Sequence, residues 1–410
     1  MTRKNNISKI MNTELPKDWK LVKLGEVCDK ISLNKIKIKQ KDYLLEGKYP
    51  VVDQGQELIG GYYNDENLII PDEPPFIIFG DHTKVKKYIN FKFIAGADGI
   101  KVLKTKKEVI PKYFYFLLFT IKIEDKGYAR HFQFLEKAAF PLPPLPEQHR
   151  IVAKLEELLS ELEKGKEQLH TALDQLKVYR QAVLKYAFEG KLTNNAKVKS
   201  KNSKVENGEL PEGWKWVKLG EVCTSVEYGS AAKSKEKGKI PVLRMGNIQN
   251  GRFDWSDLVY TDDENEIKKY LLKKNDVLFN RTNSAELVGK TALYKGERKA
   301  IFAGYLIRIN RIESLIDAYY LTYYLNTHAA KTYGNTVRSF GVNQSNINGT
   351  KLKSYPLPLP LLEEQQHVVE EIESRLSVAD KLEETITASL QQSETLRQSI
   401  FKKAFEGKLV

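Results

Sequence analysis

The sequence has 410 residues, 66 Lys and Arg against 53 Asp and Glu for a net charge of +13, and only two cysteines, Cys28 and Cys223. One possible disulfide in so long a chain excludes the disulfide-stapled secreted class and fits a reducing, cytoplasmic setting; Met1 to Lys9 lacks a signal-like apolar core, and no apolar run approaches the ~20 residues that cross a bilayer. At roughly 100–200 residues per domain the length predicts two to four domains, and the excess of positive charge points to a polyanionic partner, although it fits a merely solvated basic surface as well.

Taken from the N-terminus, the first block is Leu15-Pro16-Lys17-Asp18-Trp19-Lys20-Leu21-Val22-Lys23-Leu24-Gly25-Glu26-Val27-Cys28, and it returns as Leu210 to Cys223 at an offset of 195 with eleven of fourteen positions identical. Chance does not produce this, so the chain is duplicated. Short β-branched or aromatic runs follow at Val51-Val52, Phe76 to Phe79, Phe91 to Ala95 and Ile100 to Leu103. They predict small mixed sheets, as do Val277 to Phe279 and Tyr305 to Ile309 in the second copy. The aromatic decads 110–119 and 316–325 predict one buried helix per copy. Each interior is then a compact α/β head. Phe93 to Gly96 resembles Ile301 to Gly304, and Arg130-His131-Phe132 resembles Arg338-Ser339-Phe340.

Each head ends in a proline-alternating stretch, Phe140 to Pro146 and Tyr355 to Pro360, which predicts an extended polyproline-type strut, its last proline placed where a helix can begin. The helix that begins is long. Leu155, Leu158, Leu162, Gly165, Leu169, Ala172, Leu176, Tyr179, Val183 and Tyr186 keep 3–4 spacing up to Gly190, the pattern of a coiled-coil seam, over roughly 65 Å. Its counterpart, reached at an offset of 217 (Glu147-Gln148 against Glu364-Gln365, Ala187 to Leu192 against Ala404 to Leu409), keeps Ile372, Leu382, Ile386, Leu396 and Ile400 but places Arg375 and Lys403 on the stripe. A marginal stripe of this length requires a partner, and the connectivity makes the pair antiparallel. The expected fold is α+β: two pseudo-symmetric globular heads, 1–145 and 210–360, joined by two long antiparallel coiled-coil helices, 146–192 and 361–410, with a polar linker at 193–209.

Three near-motifs fail on chemistry. Ser284 to Thr291 ends like a phosphate-binding loop, yet Ser284 replaces its first glycine and Glu286 puts negative charge inside. Asp72-Glu73-Pro74-Pro75-Phe76 approaches the loop with which amino-methylating enzymes hold a flipped base, but Glu73 displaces the acid by one position and no cofactor loop accompanies it. Asp72 with Glu124 and Lys126 fits a loose nuclease pattern that carries no geometry. No spacing of the six histidines and two cysteines suits a metal, and Cys28 and Cys223 read as one buried small side chain per head. No catalytic, cofactor or metal residue is assigned.

The heads do offer basic and amide-rich loops beside apolar strands. In the first these supply His82, Thr83, Lys84, Lys86, Lys87, Arg130 and His131. In the second they supply Arg281, Thr282, Asn283, Lys290, Arg338, Ser339, Asn343, Gln344 and Asn346. Arg suits guanine and Asn or Gln suits adenine, while lysines suit phosphates. As a cluster on a duplicated frame, these sixteen residues are the candidate DNA contacts.

The order Leu-Pro-x-x-Trp-x-x-Val-Lys-Leu-Gly-Glu-Val, variable head, Pro-Leu-Pro-x-x-Glu-Gln, long helix and Ala-Phe-Glu-Gly-Lys-Leu, all repeated over residues 15–410, resembles the specificity subunit of type I restriction–modification systems. Gly80 to Thr83, Gly96 to Gly99, Asp276 to Thr282 and Phe340 to Gln344 agree with it. The resemblance implies a non-catalytic reader of double-stranded DNA. Each head would be a target recognition domain for one half of a split, asymmetric site, and the helices a ruler for the gap. Two methyltransferase subunits would carry S-adenosylmethionine, and restriction–translocase subunits would use ATP and Mg. Two other readings stay open at this level: an enzyme in its own right, such as a fused methyltransferase or nuclease, and a basic protein-binding scaffold.

Overall fold

The computed structural model describes residues 15–33, 36–96, 99–121, 123, 130–192, 210–341 and 344–410. The expected linker, Glu124 to Lys126 and Asn343 lie outside the described residues. The chain divides into two units, Met1–His170 with Thr387–Val410, and Thr171–Ile386.

In the first unit the elements run β1 (Lys20–Lys23), α1 (Leu24–Val27), β2 (Cys28–Lys30), β3 (Lys37–Ile38), β4 (Tyr49–Val52), β5 (Gly61–Tyr63), β6 (Phe76–Gly80), β7 (Lys86–Ile89), β8 (Ile94–Gly96), β9 (Ile100–Thr105), α2 (Pro111–Leu117), α3 (Phe132–Lys137), β10 (Ala139–Leu142) and the start of α4 (Leu145–Phe188). One sheet has the order β2-β9-β6-β7 and another β3-β8-β4-β5, with β4 parallel to β8. Strand β6 is buried at every position. Ile77 and Phe79 join the cluster around Tyr113 and Phe114, whereas Phe76 and Ile78 join Val52, Phe93 and Val102. A strand covered on both faces shows no polar alternation, which is why its sequence is a continuous apolar run.

The second unit continues with β11 (Lys215–Lys218), β12 (Cys223–Tyr228), β13 (Ile240–Leu243), β14 (Ile248–Gln249), β15 (Arg252–Phe253), β16 (Val259–Thr261), α5 (Glu264–Tyr270), β17 (Val277–Asn280), β18 (Thr282–Asn283), β19 (Thr291–Leu293), β20 (Ile301–Phe302) and β21 (Leu306–Arg311). After these come α6 (Ala318–Leu325), α7 (His328–Val337), β22 (Ser339–Phe340), β23 (Ser345–Asn346), α8 (Gly349–Lys353), β24 (Pro356–Leu359) and α9 (Leu362–Phe405). The sheet β12-β21-β17-β19 repeats the order of the first head, and β16-β13-β20 repeats three of the four strands of the other sheet, with an isolated bridge between Ser230 and Ala303 in place of the β3 pairing and β13 parallel to β20. Insertions, notably the β14–β15 hairpin and the sheet β18-β23-β22, account for the longer second interior.

The proline runs are not free struts. β10 pairs antiparallel with β1 and β24 with β11, so the start of each duplicated block is zipped to the end of its own head. Prolines survive here because alternate residues of a two-stranded ribbon point N–H and C=O away from the partner, where a missing donor costs nothing. The outward carbonyls are taken up by tyrosines of the aromatic helices: Tyr113 donates to Pro141 O at 2.8 Å, Tyr320 to Pro358 O at 2.7 Å, and Tyr324 to Pro356 O.

The repeated glutamine after each run is a buried cross-tie. Gln148 Oε1 accepts from the Ile110 N–H at 2.8 Å, and its Nε2 donates to Glu108 O and Pro143 O, both at 2.9 Å. Gln365 does the same for Asp317 N–H, Leu315 O and Pro360 O. Every hydrogen-bonding direction of the carboxamide toward its head is used, which makes a fully buried amide tolerable.

Each unit contains the start of one long helix and the end of the other. In the first, Ile151, Val152 and Leu155 share a core with Ile400, Phe401, Ala404 and Phe405; in the second, Val368, Val369 and Ile372 share one with Val183, Leu184, Ala187 and Phe188. In the second unit Arg180 pairs with Asp380 while Val183 to Phe188 share the core with Val368 to Ile372, so those two segments run antiparallel. Both Ala-Phe-Glu-Gly-Lys-Leu blocks close their helices with a glycine at φ +68°, the left-handed terminator that L side chains resist. A Cβ on Gly190 would lie 2.2 Å from Pro211 Cγ, and one on Gly407 2.3 Å from Pro16 Cγ. The Leu-Pro-x-x-Trp block of each unit is thus the seat of a helix end.

Several seam positions fall elsewhere. Leu155, Val183, Ile372 and Ile400 of the predicted stripes are buried, but Tyr179, Tyr186, Leu382 and Leu396 are exposed, and Leu184, Ala187 and Ala379 off the stripes are buried as well. Arg375 and Lys403 are also exposed, so the charges that weakened the second stripe are outside it. The reason is drift: a 3.6-residue helix turns away from a 3.5-residue template over many turns. In the second unit an ionic cluster stands beside the helix segments. Asp380 pairs with Arg180 at 2.7 Å and with Arg252 of β15 at 2.9 Å, and Arg180 also reaches Glu383 at 2.8 Å. Partial burial pushes the Asp380 carboxyl up, but the two guanidinium groups outweigh it and hold it below the usual aspartate range. A depressed folded value stabilises above the unfolded pKa of ~4 and is lost as pH falls through the folded one. The urea midpoints of wild type and Asp380→Asn are accordingly expected to differ at pH 7 and to converge in acid.

Candidate nucleic-acid interface

In the second head the candidate residues come together. β18, β23 and β22 form a three-stranded antiparallel sheet in which Thr282 faces Asn346 and Asn346 faces Ser339. Asn346 Nδ2 donates to Thr282 Oγ1 at 2.8 Å, and Lys351 Nζ donates to Ser339 Oγ at 2.7 Å. Arg281 leads into this sheet: its guanidinium lies 4.8 Å from the centre of the Tyr228 ring, and its Nη1 donates to Gly304 O at 3.1 Å. Arg338 stacks 5.1 Å from the Phe340 ring centre and donates from Nη1 to Ala285 O at 2.7 Å. Among the described residues the buried Nε atoms of both arginines have no hydrogen-bond partner. Asn283 is half-buried, its Oδ1 accepting from the Ser284 N–H, and Gln344 is exposed. Lys290 stands apart, its Nζ donating to Gln249 at 3.2 Å, with burial and then Lys331 lowering its pKa.

The first head presents a tighter turn between β6 and β7. Thr83 Oγ1 donates to Gln54 O at 2.7 Å, and the His82 N–H donates to Gln54 Oε1 at 3.1 Å. Lys84 takes a positive φ of 59°. Lys86 lies 5.0 Å from the Phe119 ring centre, and burial, then Lys84, lowers its pKa. Gln54, which sequence reading missed, organises the turn from β4's side; a lone polar residue after a strand gave no signal of it. Arg130 is exposed.

Three candidates are corrected: Thr282 is buried, its hydroxyl accepting from Asn346, and two others lie in the first head. Lys87 is 4% exposed and commits its ammonium to the Glu57 carbonyl, with Asp53 at 3.8 Å; burial lowers its pKa despite those neighbours. It is a strut of the hairpin, not a phosphate ligand. His131 is wholly buried. Its N–H donates to Asp81 O at 2.8 Å, as the Ile347 N–H donates to Arg281 O at 2.9 Å in the second head. The histidine therefore fills a core position that the other copy gives to isoleucine. This register also replaces the expected match of Arg130-His131-Phe132 with Arg338-Ser339-Phe340, since Phe132 is in the core and Phe340 is exposed.

The same register sets Asp81 opposite Arg281. Asp81 is buried, accepts from the Phe132 N–H at 2.8 Å and pairs with Lys101 at 3.3 Å. The acid is thus spent inside the first head, whereas Arg281 in the second stacks on the exposed Tyr228 ring.

Ser284 to Thr291 is a turn leading into β19, with Thr291 buried and Glu286 exposed; no helix follows to offer its N–H groups to a phosphate. Asp72 to Pro75 is the turn before β6, with Glu73 paired to Lys92 at 2.7 Å. Among the described residues no cluster of three or more His, Cys, Asp or Glu side chains could hold a metal, and no helix is long and apolar enough to cross a membrane. Both cysteines are free and buried; burial, with Asp29 adding to it, pushes the Cys28 thiol up to about 12.

A duplicated chain whose two heads share sheet orders but differ in their loops and added strands belongs to the class of two-headed recognition proteins. The sequence profile of the type I restriction modification DNA specificity domain matches residues 16–170 and 211–392, and the chain belongs to that family. It is 30% identical over 274 residues to the type I restriction enzyme EcoKI specificity subunit of Escherichia coli K12, and 31% identical over 274 residues to the StySPI specificity subunit of Salmonella potsdam. Each alignment takes in 66% of this chain but only 57% of the relative's length. The EcoDI specificity subunit of Escherichia coli is 25% identical across 97% of this chain and 90% of its own. The fold matches that of a chain solved in a study of the assembly and conformational transition of the type I R-M system, at a TM-score of 0.72 and 20% identity over 97% of this chain and all of that one. It also matches the HsdS subunit of Thermoanaerobacter tengcongensis, at 0.56 and 20% over 97% and 99%.

Proposed function

We propose that this chain is the specificity subunit of a type I restriction–modification complex. Each head reads one half of a bipartite, asymmetric site in double-stranded DNA, and the two long helices act as an antiparallel coiled-coil spacer that fixes the gap. The chain carries no chemistry of its own. Two methyltransferase subunits would bring S-adenosylmethionine, and restriction–translocase subunits would use ATP and Mg, in the cytoplasm. The observation that carries this reading is the family match over both copies, 16–170 and 211–392, on two heads that share a frame but differ in what they present, the second adding the β18-β23-β22 sheet with Arg281 and Arg338 beside it. Base edges are told apart by donor and acceptor pattern, so unlike heads imply unlike half-sites. Adenine N6 is reached only when the base leaves the stack, a task for the methyltransferase partner.

The test is to co-express the chain with its methyltransferase partner and map methylated adenines genome-wide. A split motif is expected, and replacing residues 210–357 with another such head is expected to change one half alone. Methyl transfer or cleavage by the isolated chain, or a swap that changes both halves, would overturn the proposal.

A further inference from the structure

Phe340 is 77% exposed, and each of the other phenylalanines is buried or half-buried. An aromatic ring left in water next to a well-formed core is a cost the fold does not require. Nor is the ring carried on a loose tail. It sits on β22, hydrogen-bonded to β23, which is bonded in turn to β18. Arg338 stacks against it while donating to the Ala285 carbonyl, so the ring is held in place from within the head.

The surroundings point to a polyanion. From Ala318 to Leu362 the sequence carries no Asp or Glu, and Arg338 and Lys351, the latter bonded to Ser339, stand beside the ring; one exposed acid, Glu286, follows the Ala285 that Arg338 contacts. Tyr228 and Tyr305, 41% and 50% exposed, flank Arg281, through its ring stacking and through the Arg281 N–H that donates to Tyr305 O. Exposed rings interleaved with arginines are what bases stack upon, and a ring on a braced hairpin can enter between two base pairs and part them.

We propose that Phe340 is a wedge that inserts at one base step of the half-site read by the second head, with Arg338 bracing the ring. This rests on the DNA-reading function above and adds a deformation component to it: steps that unstack easily, pyrimidine–purine steps foremost, are favoured at that place without any base-edge hydrogen bond.

The experiment uses the full chain purified with its methyltransferase partner and a duplex bearing the mapped motif, with a fluorescent purine analogue moved step by step through that half-site. Wild type raises the fluorescence several-fold at one step away from the methylated adenine, whose own rise reports flipping by the methyltransferase. Phe340→Ala abolishes the rise and binds roughly tenfold more weakly, and Phe340→Trp retains both, with unchanged thermal melts for the two variants. A wild-type complex that binds the motif with no rise away from the target adenine overturns the wedge alone, as does a rise at that second step that persists in Phe340→Ala. Unchanged DNA binding with loss of the methyltransferase partner would assign the ring to a protein contact and likewise overturn it. Wild type that does not distinguish the motif from a scrambled duplex brings down both readings.

Discussion

Deleting residues 400–410 is expected to unfold the head built from the N-terminal residues and to leave the second unit folded. Ile400, Phe401, Ala404 and Phe405 are buried in the same cluster as Trp19, Phe79, Tyr113 and Phe114. Phe401 stacks on Phe119 with centroids 5.5 Å apart, and Phe405 meets Tyr113 edge-on at 5.3 Å. Truncating a buried Phe costs about 3–5 kcal/mol, and an Ile about 2–5. Losing two Phe and one Ile together therefore approaches the whole stability of a domain, about 5–15 kcal/mol. None of these residues belongs to the core of the second unit. Hydrogen exchange is the direct readout: amides of β6 and β9 lose protection, and those of β17 and β21 keep it. Phe401→Ala gives the graded version, a loss of about 3–5 kcal/mol in urea titration. Retained protection in the deletion would show that the shared core contributes little.

How much of this was legible beforehand follows from how local each signal is. The duplication is visible as direct identity between blocks, the aromatic helices and the central strands rest on patterns within ten residues, and 111–117, 318–325, 76–80 and 277–280 lie where the patterns put them. The proline runs mislead because polyproline and edge-strand conformations share a backbone region; only the pairing partner, more than a hundred residues away, separates them. The same holds for the Ala-Phe-Glu-Gly-Lys-Leu blocks, visible as repeats and silent about Pro16 and Pro211 as their seats. In the candidate site, residue type was informative and burial was not. Lysine and histidine are right for a phosphate or a base edge, yet Lys87 and His131 are interior. Arg281, Thr282, Arg338, Ser339 and Asn346 are gathered by three two-residue strands too short to leave a period in the sequence.

The glutamine cross-ties give the second large effect. Gln148→Leu and Gln365→Leu preserve approximate volume but strand a backbone N–H, that of Ile110 or Asp317, and two carbonyls with no replacement partner from the side chain. An unsatisfied buried polar group costs about 1–3 kcal/mol, so each variant is expected to lose about 3–5 kcal/mol, read as a fall in the urea midpoint of its own unit. Gln148→Glu discriminates this from a simple packing defect. The carboxylate still accepts from the Ile110 N–H but faces the carbonyls of Glu108 and Pro143 without a donor, and burial favours its neutral form. Its folded pKa is then above the unfolded value of ~4.3. The folded state binds the proton more tightly, so the destabilisation is full at neutral pH and shrinks as pH falls. A wild-type-to-variant gap that narrows in acid for Glu but stays constant for Leu would locate the loss in the two missing donors. A constant gap in both would place it in packing.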